Sequence, residues 1–205
     1  MRIILSFCVI GLLFVGVSNA QQPIDGIDAR SNSAEFAKQL GSTDPLLRQR
    51  SAEALARLAA TSHRKLVEGY QLQEKNKEVR LALDWALYRM GRSEALYRVV
   101  DDLDSGRQEQ AIGYLSELEG PELLYPFLKK QNNPPRVNAG LLKALARIGD
   151  AQTLELVKPF RESHQPYVAE AAEIAHDEIE KRLSEPTQPT RVRPRTVSTT
   201  GDRPF

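Results

Sequence analysis

From about residue 31 to residue 184, apolar side chains recur at helical spacing, and no stretch alternates apolar and polar as a strand does. The pattern repeats. Residues 77–91, KEVRLALDWALYRMG, overlay residues 135–149, PRVNAGLLKALARIG. In that register Val79 meets Val137, Leu83 meets Leu141, Ala86 meets Ala144, Leu87 meets Leu145 and Gly91 meets Gly149. The same register fits stretches starting at Leu47, Arg107 and Val168, so five copies begin 32, 28, 30 and 31 residues apart. Offsets 0, 4, 7, 8 and 11 of each copy lie on one helical face. Of these 25 positions 22 are apolar, and only Ser51, Arg107 and His176 are polar. At the chain's 41% hydrophobic content, chance would supply about ten.

A second, shorter set of helical segments lies between these copies. Leu66, Val67 and Tyr70 carry its apolar stripe in the first; Leu96, Val99, Val100 and Leu103 in the second. Leu124, Phe127 and Leu128 do so in the third, and Leu154, Val157 and Phe160 in the fourth. Each unit is thus predicted to be helix, turn, helix. A lone hairpin cannot cover its own apolar face, so stacked neighbours must. The boundaries agree. Asp44, Asn76, Ser93, Asn133 and Asp150 are N-cap candidates, Asp44 and Asn133 directly before proline, and Ser33 precedes a further short helix. Gly91 and Gly149 are expected to close helices with positive φ.

The pattern resembles HEAT-like repeats, in particular the short form of about thirty residues named after the phycobilisome-lyase family. Val79-Arg80, Ala86-Leu87 and Met90-Gly91 carry the likeness, as do Val137, Ala144-Leu145 and Ile148-Gly149-Asp150. The first and third copies depart from it, ending Leu58-Ala59 and Leu118-Glu119. The resemblance implies an all-α fold, an α-solenoid of about five hairpins over residues 31–184. It also implies that Arg48, Arg80 and Asp150 link neighbouring repeats, and that the second helices line a concave groove. On that reading Arg98, Asp101, Lys129, Lys130, Lys158 and Arg161 are candidate contacts for a protein partner.

The ends have a different texture. Residues 1–20 hold one basic residue, Arg2, then an apolar run from Ile3 to Val17, then Ser18 and Ala20 at the small-residue positions of a cleavage site. This is the pattern of a secretory signal peptide, predicting export to the periplasm or beyond. The run is shorter than the ~20 residues that span a bilayer, so no membrane insertion is expected after cleavage. Residues 21–30 read as a flexible leader. Residues 185–205 contain four prolines and six serines or threonines without an apolar stripe, and read as a disordered tail. Arg191, Arg193, Arg195 and Arg203 outnumber Glu185 and Asp202 there, which suits weak contact with anionic envelope material.

Charge and chemistry narrow the function. Without Arg2, 27 basic residues balance 27 acidic ones, whereas a nucleic-acid binder usually carries a basic excess. The single cysteine, Cys8, lies in the apolar leader, so the remaining chain has no disulfide framework and no thiol nucleophile. No P-loop, G-x-S-x-G or metal-spaced ligand cluster is present, and no cofactor is implied. His176 with Asp177, Glu173 and Glu180 reads as a solvated terminal helix, and Asp101, Asp102 and Asp104 as a polar turn. Trp85 falls at offset 6, where the other copies carry Glu53, Gly113, Lys143 and Ile174. An exposed aromatic anchor for a partner is one reading of it, with Tyr88 beside it; partial burial is the other. The leading expectation is a non-enzymatic, exported protein-binding scaffold. The alternatives are an enzyme accessory or lyase-like protein, as the resemblance would permit, and a subunit that stacks on another solenoid.

Overall fold

A computed structural model describes residues 25–185. The predicted signal segment and the predicted tail beyond Glu185 lie outside the described residues. Within them the chain is all-α, with ten α-helices and no strand. The longer set comprises α2 (Pro45–Arg57), α4 (Lys77–Arg89), α6 (Gln108–Leu115), α8 (Pro135–Ile148) and α10 (Pro166–Ser184). The shorter set is α3 (Arg64–Gln73), α5 (Ala95–Asp101), α7 (Tyr125–Leu128) and α9 (Ala151–Arg161). Ahead of them runs α1 (Asp25–Gln39).

Helices of the longer set pack on one another: α2 on α4, α6 on α8, and α8 on α10. The shorter helices flank them, α3 and α5 against α4, and α9 against α10. Of the 25 positions on the predicted face, 20 are buried, and only Leu47 and Leu58 are exposed. One core cluster runs from Leu40 through Leu83 and Leu115 to Ala175.

The first helix differs from expectation. Ser33 does not start it; α1 begins at Asp25 and takes in most of the segment read as a flexible leader. Phe36, Ala37 and Leu40 dock the end of α1 on the core. Once such a helix is nucleated, each added residue costs little, so it extends past the apolar positions.

The predicted caps hold at three sites. Asp44 accepts from the Leu46 N–H, and Asn76 from the Val79 N–H. Asp150 forms a capping box with Thr153. The Tyr125 hydroxyl joins that box, 2.9 Å from Asp150 and 2.8 Å from Thr153, tying α7 to α9. Asn133 and Ser93 do not cap: Pro134 and Glu94 hold those positions, and Asn133 turns its amide to the Phe127 carbonyl instead. Arg48 and Arg80 share one structural device. Each reaches back six residues to a loop carbonyl, Arg48 to Ser42 and Arg80 to Glu74. Arg48 also grips the Glu74 carboxylate with two hydrogen bonds of 2.7 and 2.9 Å. That grip holds the Glu74 carboxyl below the usual range.

The helix ends separate two roles for small residues. Gly91 has φ +95, and with Arg92 it caps α4 by bonds to the Tyr88 and Leu87 carbonyls. Ala59, at φ +44, closes α2 with Ala60 by the same pair of bonds, to the Ala56 and Leu55 carbonyls. A Cβ in that region costs about 1–2 kcal/mol. Ala59→Gly should therefore raise stability by about 0.5–1 kcal/mol, after the entropy that glycine adds to the unfolded chain. Urea unfolding would show it as a higher midpoint at unchanged slope; an unchanged or lower midpoint would mean the turn is not built this way.

Gly149 corrects the expectation, since its φ is −65. It is needed for space: a Cβ there would lie 2.6 Å from both Ile179 Cδ1 and the Leu145 carbonyl. α10 crosses so closely that Arg182 caps α8, donating to the Ala146 and Gly149 carbonyls at 3.0 and 2.7 Å.

Candidate binding surface

Trp85 is not an anchor for a partner, because it is 1% exposed. Its ring stacks on Tyr88, with centroids 5.3 Å apart, and lies parallel to Tyr114 of α6 at 5.6 Å. Offset 7 of the repeat explains this. The other copies carry Ala54, Ala86, Ala144 and Ala175 there, and the third carries Tyr114. A tyrosine in an alanine's place holds α6 off α4, and the indole fills the gap. The Tyr114 hydroxyl donates to Glu53 of α2 at 2.7 Å and accepts from Gln110 at 2.8 Å. Burial pushes that phenol up, so it remains a neutral donor. Tyr88 is half-buried and lines a cavity of about 410 Å³ with Ala59, Arg89, Leu118 and Leu123.

Three of the predicted groove cations are engaged in pairs. Arg98 Nε donates to Asp84 of α4 at 2.5 Å, and Gln71 of α3 donates to the same oxygen at 3.1 Å. Lys158 pairs with Glu155 at 2.5 Å. Arg161 makes two bonds to Glu173, at 2.5 and 2.8 Å, and so turns toward α10. Asp101 is exposed on α5.

Asp84 has a measurable signature. Its side chain is 4% exposed. Burial pushes its carboxyl above the usual range, against the pull of Arg98. The folded state then binds its proton more tightly than the unfolded state does. Its contribution is complete below the unfolded pKa and is lost as pH rises through the folded one. Asp84→Asn keeps the Gln71 partner without the buried charge. It should be more stable than the wild type at neutral pH, with the gain shrinking as pH falls into the carboxylate range. Denaturant unfolding across that range checks it; a gain that grows on acidification would contradict it.

Lys129 and Lys130 are brought together. They stand at the mouth of a cleft of about 380 Å³ between the end of α7, the start of α8 and the side of α9. Leu128, Leu156, Pro159 and Phe160 form its apolar part, and Asn132, Asn133, Asn138 and Glu155 its polar wall. Among the described residues neither lysine's ammonium group has an ion-pair or hydrogen-bond partner. Asn133 Nδ2 donates to the Phe127 carbonyl at 2.7 Å and to Asn138 Oδ1 at 3.0 Å, so two amides set the wall. Asn132 turns the loop at φ +61, a conformation asparagine tolerates. Beside the cleft, Phe127 meets the edge of Tyr97 at 5.0 Å, and Tyr97 is 63% exposed.

The sequence pattern puts Phe127 and Phe160 on the core, where both are half-buried, reads Asn133 only as a cap, and gives Tyr97, Asn132 and Asn138 no role. Pro159 was the available signal. A proline inside a helix lacks the N–H that would bond the carbonyl four residues before it, here that of Glu155.

At the far end His176 Nδ1 lies 3.5 Å from Asp177 and 3.9 Å from Glu180, on the helix read as solvated. Glu173, the fourth member of that group, is held by Arg161. No helix of the described residues is long and apolar enough to cross a membrane.

No protein-family model matches the chain, and no curated protein does. Among solved structures, the chain is similar to the crystal structure of an engineered protein at 21% identity. The match covers 76% of this chain and 81% of that one, with a TM-score of 0.35. That score is too low to equate the two arrangements of helices.

Proposed function

We propose that this chain is an exported, non-enzymatic adaptor, an α-solenoid of about five HEAT-like hairpins that holds a protein partner on its shorter helices. The cleft between α7 and α9 carries this reading. It joins an apolar pocket to two unpaired lysines, and the half-buried Phe127, next in the chain to its Leu128, meets the exposed Tyr97. Interface cores take such a mixture of apolar and aromatic groups with a polar rim. Three observations favour the solenoid: the longer helices pack in chain order at α2–α4 and α6–α8–α10, Arg48 and Arg80 perform the same task in successive copies, and Ala59 and Gly91 close helices at the same offset. Export rests on the pattern of residues 1–20.

Immobilised protein starting at residue 21 tests the reading in envelope extract of the source organism, with retained proteins quantified by mass spectrometry. Two variants accompany it: Lys129→Glu/Lys130→Glu in the cleft, and Arg147→Glu/Lys181→Glu on exposed positions of α8 and α10. The adaptor reading expects a partner retained in near-stoichiometric amount by the wild type and the second variant, and lost from the first. Retention indifferent to the cleft variant would move the site elsewhere; turnover of a co-purified small molecule would favour an enzyme.

A further inference from the structure

The cleft also narrows the chemistry of its occupant, granting that it is the adaptor's binding face. Its polar groups are unequal. Its one carboxylate, Glu155, is already paired with Lys158, and Asn138 Oδ1 takes Asn133. The donors are open: both lysine ammonium groups and the Asn138 Nδ2 have no partner among the described residues. Two unpaired ammonium groups beside a carboxylate that is already paired favour an anion.

The anion has to be small and local. The cleft offers two cations, Lys129 and Lys130, too few to hold a long polyanion. Two flexible lysines also lack the planar fork that recognises phosphate bidentately. The whole cleft is about 380 Å³, so its apolar part, with Leu128, Leu156 and Phe160, has room for one or two side chains; ligand clefts run from ~300 to 1,000 Å³. The wall offers one backbone feature as well. Pro159 leaves the Glu155 carbonyl without its i+4 donor, and an extended segment can supply an N–H there.

We infer that the cleft takes an extended acidic segment of the partner protein, one carrying a phenylalanine or leucine beside aspartate or glutamate. The apolar side chain enters between Leu156 and Phe160, and the neighbouring carboxylates meet Lys129 and Lys130.

The test is a positional-scanning array of immobilised, end-blocked decapeptides, probed with labelled protein starting at residue 21. Retained peptides should require Asp or Glu within two positions of Phe or Leu. Their retention should fall at least tenfold with Lys129→Glu/Lys130→Glu and stay unchanged with Arg147→Glu/Lys181→Glu. It should also weaken as salt is raised. No retained peptide, a basic or neutral motif, or indifference to the cleft variant would overturn the inference. So would stronger retention of a random-sequence single-stranded oligonucleotide that the same variant abolishes. If extract still yields a partner lost with the cleft variant while the array reads no acidic motif, the adaptor reading stands and this inference falls. If neither experiment depends on the cleft lysines, both fall.

Discussion

Trp85→Ala should remove about 3–5 kcal/mol of stability, the ordinary cost of truncating a fully buried large aromatic. The expected loss lies toward the upper end of that range. The indole fills the space between α4 and α6 that Tyr114 opens, and its neighbours are rings that cannot collapse into the void without leaving their stack. The void would also reach the Tyr114 hydroxyl and, through it, Glu53 of α2. Three helices would therefore loosen together. Urea unfolding of wild type and variant gives the difference directly. Trp85 is the only tryptophan, so wild-type fluorescence must be that of an indole shielded from water and must shift red on unfolding. A red-shifted native spectrum with a mild effect of the substitution would restore Trp85 as an exposed anchor.

Ending the chain after Ser163 should be more damaging still. It removes α10, whose Val168, Ala171, Ala172, Ala175 and Ile179 are buried. Those side chains alone represent on the order of 5–10 kcal/mol of apolar burial, as much as a typical domain's whole stability. The cut also removes Arg182, leaving the Ala146 and Gly149 carbonyls without their donors. It would bare the faces of α8 and α9, including Val157, which is fully buried in the intact chain. Such surface invites association. The truncated protein should elute as aggregate or as an expanded, weakly cooperative monomer in size-exclusion chromatography with light scattering. A monomer of unchanged stability would mean that α10 is not packed on α8 as described.

The repeat register was legible because it depends on periodicity alone. Leu55, Leu87, Leu115 and Leu145 share one offset, and all four are buried. What sequence could not show was set by pairs distant in the chain. Trp85 reads as outward-facing until Tyr114, 29 residues later, is seen to stand where the other copies carry alanine. Gly149 looks like a left-handed cap and is instead a gap left for Ile179. Arg98 looks like a free groove cation, yet its Nε is engaged by Asp84, buried on the preceding helix. The start of α1 was missed because its first residues carry no apolar stripe; its hold on the rest comes from its later residues, by Phe36, Ala37 and Leu40 and by the bonds of Ser33 to His63 and Gln39 to Ser51. The cleft was half legible. Lys129 and Lys130 were singled out by charge and place, whereas the pocket beside them forms only when α7, α8 and α9 close around the Asn133 turn.

Hydrogen exchange, read by mass spectrometry with and without the protein retained from extract, tests the central claim most directly. If the shorter helices are the binding face, added protection should fall on residues 97–101, 125–133 and 151–161. Protection falling instead on 136–147 and 166–180, with that face unchanged, would place the partner on the longer helices and contradict the account.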